Sequence, residues 1–320
     1  MNIHITFFIA ISLLLPIFVG IYITTTVLGV SSAKQTAIPD LSGIAWVQND
    51  TFLAIHDAKY PDEADEPRAS LLTLPSHLGG TVNTPLNVTW EQGEAPGSDL
   101  ECIARIPDTN QTDNQPQFLL GESGDNDRGS KRVLLSQLDN DSLIVTDNIT
   151  WPVDIYNVEG CALTVINNEL VFLFAERAQG SQNTTINWAS LSLNPLSFGE
   201  VNSVEYNAFL KDDQEVDPGF RPISAIEIDN AGKILVASAI DPDVDTGPFT
   251  SDVWFAGYIN SNETSISSPI SLLNSPEQLA SLDGLKVEAL STRPINNGSD
   301  TEIIIGTDDE YSGGVLRVLP

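Results

Sequence analysis

The chain has 320 residues, of which 41% are hydrophobic and 18% charged, enough apolar content for a large core and too much for intrinsic disorder. Its 44 Asp and Glu outnumber 14 Lys and Arg, a formal charge of -30 with a pI near 4.1. Such a body repels nucleic acid and anionic membranes and attracts cations, which excludes nucleic-acid binding and confines membrane contact to the N-terminal segment.

That segment comes first. Residues 5–30 carry no charge and are long enough to cross a bilayer as a helix, with Pro16 near the middle to kink it. No Lys or Arg precedes Lys34, unlike the basic start of a secretory signal, whereas Ser31 and Ala33 offer a small-residue cleavage site. Residues 1–33 therefore read as either a cleaved signal peptide or an uncleaved membrane anchor. In both cases residues 34–320 are expected to be exported: periplasmic, secreted or membrane-anchored outside the cytoplasm.

The body is a fivefold repeat. A short polar-then-apolar run recurs as Leu41-Ser42-Gly43-Ile44, Leu100-Glu101-Cys102-Ile103, Val158-Glu159-Gly160-Cys161, Ile223-Ser224-Ala225-Ile226 and Val287-Glu288-Ala289-Leu290. Alignment puts Ser42, Glu101, Glu159, Ser224 and Glu288 at one position, at intervals of 59, 58, 65 and 64 residues. Repeats of this length built from short β-rich runs are the signature of a propeller.

The first repeat offers strands at 42–47, 51–56, 69–74 and 86–90, separated by Asn, Asp, Pro or Gly. The second offers 101–106, 117–121, 132–138 and 143–151, the third 159–165, 169–175, 186–193 and 200–206, and the fourth 224–228, 233–238, 252–259 and 264–272. The fifth has 288–292, 302–306 and 314–319 and then the sequence stops one strand short, so residues 36–38 are expected to supply the missing strand and close the ring. Two inserts interrupt the pattern. Ser275-Pro276-Glu277-Gln278 carries an N-cap serine and a first-turn proline, which predicts a short helix over 276–282. Residues 208–221 read as an acidic loop. The fold class is thus all-β, a single five-bladed β-propeller behind the N-terminal segment.

In a propeller the first strand of each blade lines the axis, so the repeated position becomes a ring of three carboxylates and two serines. At an effective dielectric of about 20 and about 5 Å, each carboxylate pair repels by roughly 3 kcal/mol. Raised pKa values or a bound cation would relieve this. An all-oxygen set with no His or Cys suits Ca²⁺ better than a transition metal, whereas a merely polar, water-filled tunnel would be served as well by Thr or Asn. Cys102 and Cys161 follow their ring residues by one and two places, which by simple alternation puts them on different faces of adjacent strands and argues against a disulfide, although an exported setting would permit one.

The ends of the second strands fall beside the starts of the first, and so surround the mouth above the ring. They supply His56, Asp57, Asp125, Arg177 and Asp308, with Arg128 and Arg132 in the following excursion. The basic residues clustered there suggest a small anionic ligand, bound by His56, Arg128, Arg132, Arg177 and Asp308, with Arg132, Arg177 and Asp57 facing one another across the opening. Ordinary solvated loop composition, and a packed rather than reactive His56, are the plainer readings. No nucleophile elbow, phosphate-binding glycine loop or zinc spacing occurs.

The order Ser42, Glu101, Glu159, Ser224, Glu288, in settings such as Asp-Leu-Ser-Gly-Ile and Asp-Leu-Glu-Cys-Ile-Ala, resembles the five-bladed propellers of the SdiA-regulated family and of the calcium-activated nucleotidases (apyrases). It is also similar to esterase-like phytase-type domains and to a propeller family of unknown function. The resemblance covers residues 40–320 and implies an axial Ca²⁺ held by those five residues. The nucleotide-contacting segments of the apyrases have no clear counterpart here, and a shared fold carries no chemistry by itself. Two functions follow: a Ca²⁺-locked ligand-binding or scaffold module, or a Ca²⁺-dependent phosphoester hydrolase, in which Asp57 or Asp125 positions water and Arg128, Arg132 or Arg177 holds phosphate. Oligomeric state is not legible in the sequence.

Overall fold

The computed structural model describes residues 38–75, 80–111, 115–124, 131–209, 215–260 and 268–320. The N-terminal segment, Thr36, Ala37, Asp125 and Arg128 lie outside the described residues. Among those described, no helix is long and apolar enough to cross a membrane.

Five sheets follow one another along the chain, antiparallel except for one parallel pair at the edge of the second. Blade 1 is β1 (Gly43–Gln48), β2 (Thr51–Ile55), β3 (Ala69–Thr73) and β4 (Val82–Pro85) in that order. Strand β5 (Asn87–Thr89) precedes blade 2, which runs β6 (Leu100–Arg105), β7 (Gln117–Glu122), β8 (Arg132–Asp139) and β9 (Ser142–Thr150). Blade 3 has β10 (Val158–Ile166), β11 (Glu169–Glu176) and β12 (Asn183–Leu193), with β13 (Leu196–Phe198) and β14 (Asn202–Asn207) both paired to β12. Blade 4 has β15 (Phe220–Ile228), β16 (Lys233–Ile240), β17 (Thr250–Ile259) and β18 (Ile270–Asp283), and blade 5 has β19 (Val287–Ile295), β20 (Asp300–Thr307) and β21 (Leu316–Val318).

The core is divided among the seams between blades. One buried cluster joins Leu53 and Ile55 to Ile103 and Phe118, a second joins Cys102 and Leu119 to Phe172 and Phe174, and a third joins Val171 and Leu173 to Ile226 and Val236. The fourth joins Ala225 and Leu235 to Leu290 and Ile305, and the last joins Ala289 and Ile304 of blade 5 to Ile44 and Phe52 of blade 1. That last seam closes the ring. Each fully buried Ile, Leu or Phe contributes about 1.5–3 kcal/mol by leaving water, so closure is driven by the same burial that joins every other pair of blades.

Four expectations change. The predicted fourth strand at 86–90 is not in blade 1: the chain leaves that blade at Pro85, which lacks an N–H to continue the ladder, Leu86 is buried in the seam, and β5 pairs in parallel with β9 on the edge of blade 2. The predicted helix over 276–282 is strand. Pairing with β17 and packing of Leu279 and Leu282 into the last-but-one seam override the local cap signals, and the chain between Leu272 and Glu277 bulges out around Pro276. The closing strand is only partly described: the Ile38 carbonyl accepts a hydrogen bond from Gly314 N (3.0 Å) and Leu41 N donates to Thr307 O (3.0 Å), tying the start of the body to blade 5, which has three strands among the described residues. Finally, Cys102 and Cys161 form a disulfide, with Cα atoms 5.5 Å apart. Simple alternation fails because both strands bulge beside these residues, at Leu100/Cys102 and Val158/Gly160. Neighbouring blades also meet through opposite sheet faces. The residue just after one ring position therefore packs on the residue two after the next: a Cβ on Gly43 would lie 3.0 Å from Ile103 Cγ2, and one on Gly160 would lie 2.7 Å from Ile226 Cγ2. Cys102 and Cys161 occupy that same relation.

Candidate axial site

Three of the five repeat positions converge in space. Carboxylate oxygens of Glu101, Glu159 and Glu288 all lie within 4.8 Å of one another, although 187 residues separate the first from the last in sequence. Local backbone explains why they converge. In β6 the register jumps from Leu100 opposite Glu122 to Cys102 opposite Gly121, leaving Glu101 as the extra residue of a bulge. Glu159 and Glu288 are extra residues in the same way. A bulge turns a side chain out of regular alternation, which is how three carboxylates come to point at one axis instead of into the seams.

The two serines play a different part. Ser42 Oγ donates to Leu100 O at 2.6 Å and Ser224 Oγ donates to Val287 O at 2.6 Å. Each fastens its blade to the backbone next to the following ring glutamate. Ser42, Glu101, Glu159 and Glu288 line a cavity of about 10 Å³, room for a single water or ion. The same cavity is walled by Ile44, Ile103, Cys161, Ile226 and Leu290, buried apolar residues each two places beyond a ring position.

Protein cations neutralise part of this charge: Arg177, expected at the mouth, and Arg221 and Lys286, which were not singled out from the sequence. Arg221 is buried, donates to Asp241 at 2.7 Å and is hydrogen-bonded to Glu288. Burial opposes its charge, but Glu288, Glu159 and Asp241 hold its guanidinium above the ordinary range. Lys286, 2% exposed, reaches Asp308 at 2.7 Å, Glu310 at 2.5 Å, Asp241 at 3.5 Å and Glu288 at 3.6 Å. Arg177 pairs with Glu159 at 3.2 Å, and the Asn157 amide, turned so that its nitrogen faces Glu159 (3.3 Å), accepts from Arg177 Nε at 3.1 Å. Glu101 has no hydrogen bond or ion pair among the described residues. Burial first, and then Glu159, Asp99 and Asp57, push its carboxyl well above the usual range. Burial and then Asp308 push Glu288 upward as well, against Arg221 and Lys286, which draw it down.

A second polar layer surrounds the first. Asp40, Asp99, Asn157 and Lys286 each stand two places before a ring residue. That shared offset is the signal that would have found them. Burial, followed by Asp308 and Asp57, raises Asp40 to about 8, and burial, followed by Asp308 and Asp99, raises Asp57 to about 6. Burial acts on Asp308 in the same direction, but Lys286 outweighs it and holds that carboxyl below its ordinary value.

The residues expected to receive an anion are distributed differently. His56 is buried, with Nδ1 2.7 Å from Asp40 O and Nε2 3.0 Å from Ser70 Oγ, and desolvation lowers it to about 4. It joins the start of β1 to β3 and has no open face toward the mouth. Arg132 makes a two-pronged pair with buried Glu122 (Nε to Oε2 3.0 Å, Nη2 to Oε1 2.7 Å) and binds the carbonyl of Ala95 at 3.2 Å. It anchors a loop of blade 2 instead of facing Asp57 across the opening. Arg177 and Asp308 are at the axis, engaged with Glu159 and Lys286. Asp57 is half-buried among carboxyls, whose effect on it Lys59 partly offsets. The mouth is acidic rather than basic among the described residues.

Neither a protein-family model nor a curated protein matches the sequence. Solved structures do. A thermostable family-43 glycoside hydrolase superposes with a TM-score of 0.55 at 11% identity, covering 88% of this chain and 89% of that one. An α-L-arabinanase of Cellvibrio cellulosa, complexed with arabinohexaose, gives a TM-score of 0.51 at 8% identity over 88% of this chain and 92% of that one. The chain is an all-β, five-bladed propeller. These neighbours are glycoside hydrolase propellers and not the calcium-dependent apyrase or phytase types that the ring motif resembles, so fold is where the motif and the superpositions agree.

Proposed function

We propose that the chain is an exported Ca²⁺-binding propeller, whose axial ion locks three blades together and forms the floor of an acidic, ligand-receiving mouth. The observation that carries this reading is the convergence of three bulged glutamates within 4.8 Å, close to the span of two Ca–O bonds of about 2.4 Å each. Glu101, Glu159 and Glu288 would hold the ion, with Ser42 and Ser224 as neutral oxygens, since their protons are already committed to backbone carbonyls and their lone pairs are not. All donors are oxygen, and the nearby sulfurs are tied in a disulfide, so a hard cation fits and a soft one does not. When bound, the ion supplies positive charge for an oxygen ligand at the mouth. The protein's own part is to hold Glu159 and Glu288 in place through Arg177, Arg221 and Lys286. The apolar N-terminal stretch and the disulfide both suit an oxidising, exported setting.

Ca²⁺ at a hundredfold above Kd should stabilise the fold by about 2.7 kcal/mol through mass action, because the five ring residues are separated in the unfolded chain. Thermal unfolding in Ca²⁺, Mg²⁺ and chelator tests this, with Mg²⁺ expected to be the poorer stabiliser. A melting curve indifferent to all three, with no metal by elemental analysis, overturns the reading.

A second reading is hydrolysis, and Asp57 favours it. A half-buried carboxyl raised to about 6 exchanges its proton in mildly acidic solution, where it is suited to protonate a leaving group. The likeness to family-43 propellers makes a glycosidic bond the first substrate to try, ahead of a phosphoester. Release of reducing sugar from arabinan or xylan, lost in Asp57→Asn, supports this reading. No turnover of either polymer or of a generic phosphoester, with Ca²⁺ present, leaves the binding role alone.

A further inference from the structure

The five first strands have another end. Four residues beyond each ring position stand Trp46, Arg105, Leu163, Ile228 and Thr292, and all five line a cavity of about 300 Å³ on the face opposite the acidic mouth. Buried Ile44, Ile103, Ile226 and Leu290 stand between the two ends along their strands, and this cavity shares no lining residue with the one at the ring. Its size falls at the lower end of the range for small-molecule pockets.

Its chemistry differs from that of the ring. Arg105 lies over the Trp46 indole, 5.0 Å from the ring centre, and pairs with Asp108 at 2.7 Å, so that its charge is balanced. Glu227 accepts from Thr292 Oγ1 at 3.1 Å and has no cation paired to it among the described residues. Burial raises it to about 8, so it presents a neutral acid that can donate as well as accept. Asn230 adds an exposed amide. Beside this cavity a groove of about 760 Å³ continues outward between blades 1 and 2, sharing Trp46, Arg105 and Asp108 and adding the exposed amides of Gln48 and Asn140. In the groove the Asp139 carboxylate accepts from the amides of Gln115 (3.0 Å) and Asn140 (2.9 Å), so the wall combines an indole, one balanced ion pair and planar groups that donate and accept. It matches a ligand with several hydroxyls around a small apolar body.

We propose that this second mouth is a binding site for a neutral polyhydroxylated ligand of saccharide type, with Trp46, Glu227 and Asn230 as its contacts and the adjoining groove accommodating further sugar units. The proposal does not depend on the axial ion, and its test is designed to separate the two.

The test is calorimetric titration of the whole protein with xylotriose, arabinotriose and maltotriose, with choline and citrate as cationic and anionic probes, each in Ca²⁺ and in chelator. At least one trisaccharide should bind saturably with and without Ca²⁺. Glu227→Ala and Trp46→Ala should weaken that binding at least tenfold. Asn230→Ala, on an exposed turn, should weaken it severalfold while leaving the melting temperature unchanged, and so carries the test if the Trp46 variant fails to fold. No saturable binding of any trisaccharide, binding unaltered by the Asn230 and Glu227 variants, binding that requires Ca²⁺, or choline or citrate bound in preference would each overturn the proposal.

Discussion

The two ends of the axis are built from the same five strands, four residues apart, and they have opposite characters. At the ring, three blades contribute the same residue type, and the site is a concentration of like charge balanced by Arg177, Arg221 and Lys286. At the other mouth the five blades contribute Trp, Arg, Leu, Ile and Thr, and Arg105, the one cation among these five, is paired with Asp108. Repetition suits a site that needs several identical ligands around one point. Divergence suits a surface that must recognise an asymmetric molecule. The ring should therefore dominate stability, and the opposite mouth should tolerate change.

The largest test of that contrast is Lys286→Ala. It strips the buried ammonium from Asp308, Glu310, Asp241 and Glu288 and leaves carboxylates uncompensated, so a loss of about 3–5 kcal/mol is expected in urea unfolding. A loss under about 1 kcal/mol would mean that the carboxyls are protonated or held by another cation.

The disulfide ranks next. With Cys102 and Cys161 separated by 59 positions, loop closure in the unfolded chain accounts for about 4 kcal/mol on the chain-entropy model, so the Cys102→Ser, Cys161→Ser protein should unfold at markedly lower denaturant. Because the bridge joins the two strands that carry Glu101 and Glu159, any Ca²⁺-dependent stabilisation should shrink with it. An unchanged Ca²⁺ shift would show that the seam holds those strands without the bridge.

His56 gives a pH test. Its pKa is depressed in the folded state, to about 4 from 6.5, so the unfolded chain binds the proton more readily. The contribution of neutral His56 is complete above pH 6.5 and is lost as pH falls toward 4, up to about 3 kcal/mol. Wild type should lose stability relative to His56→Gln across that window. Parallel pH curves for the two proteins would remove His56 as the cause.

Glu101→Gln sharpens the ring itself. Glu159 and Glu288 have arginine partners, whereas Glu101 has none among the described residues, so this is the variant that removes repulsion most cleanly. The chelated protein should gain on the order of 1–3 kcal/mol while its Ca²⁺-dependent shift falls. Two changes of the same sign would argue for a polar tunnel without an ion. At the far mouth, Thr292→Val removes one hydrogen bond to Glu227 and should cost only about 1 kcal/mol by the same urea measurement, the smallest effect of the set.

The repeat of Ser42, Glu101, Glu159, Ser224 and Glu288 was enough to specify five blades, because a residue type recurring at propeller spacing leaves few other folds. It also located the ring, since first strands must line the axis. Local patterns failed where tertiary pairing competed with them. The cap before Pro276 lost to pairing with β17, and residues 87–89 joined the edge of blade 2. Alternation counted along single strands gave the wrong answer for Cys102 and Cys161, because bulges break it and because blades face one another through opposite surfaces. The partners of the ring were hidden for a related reason. Arg221 and Lys286 sit two or three residues before ring positions in different blades, and only closure of the propeller decides that both reach Glu288 and Asp241. Composition and periodicity record which residue types recur along the chain. Which charges meet in a buried space depends on the curvature of five sheets around one axis, a property that belongs to the assembled ring and to no single repeat.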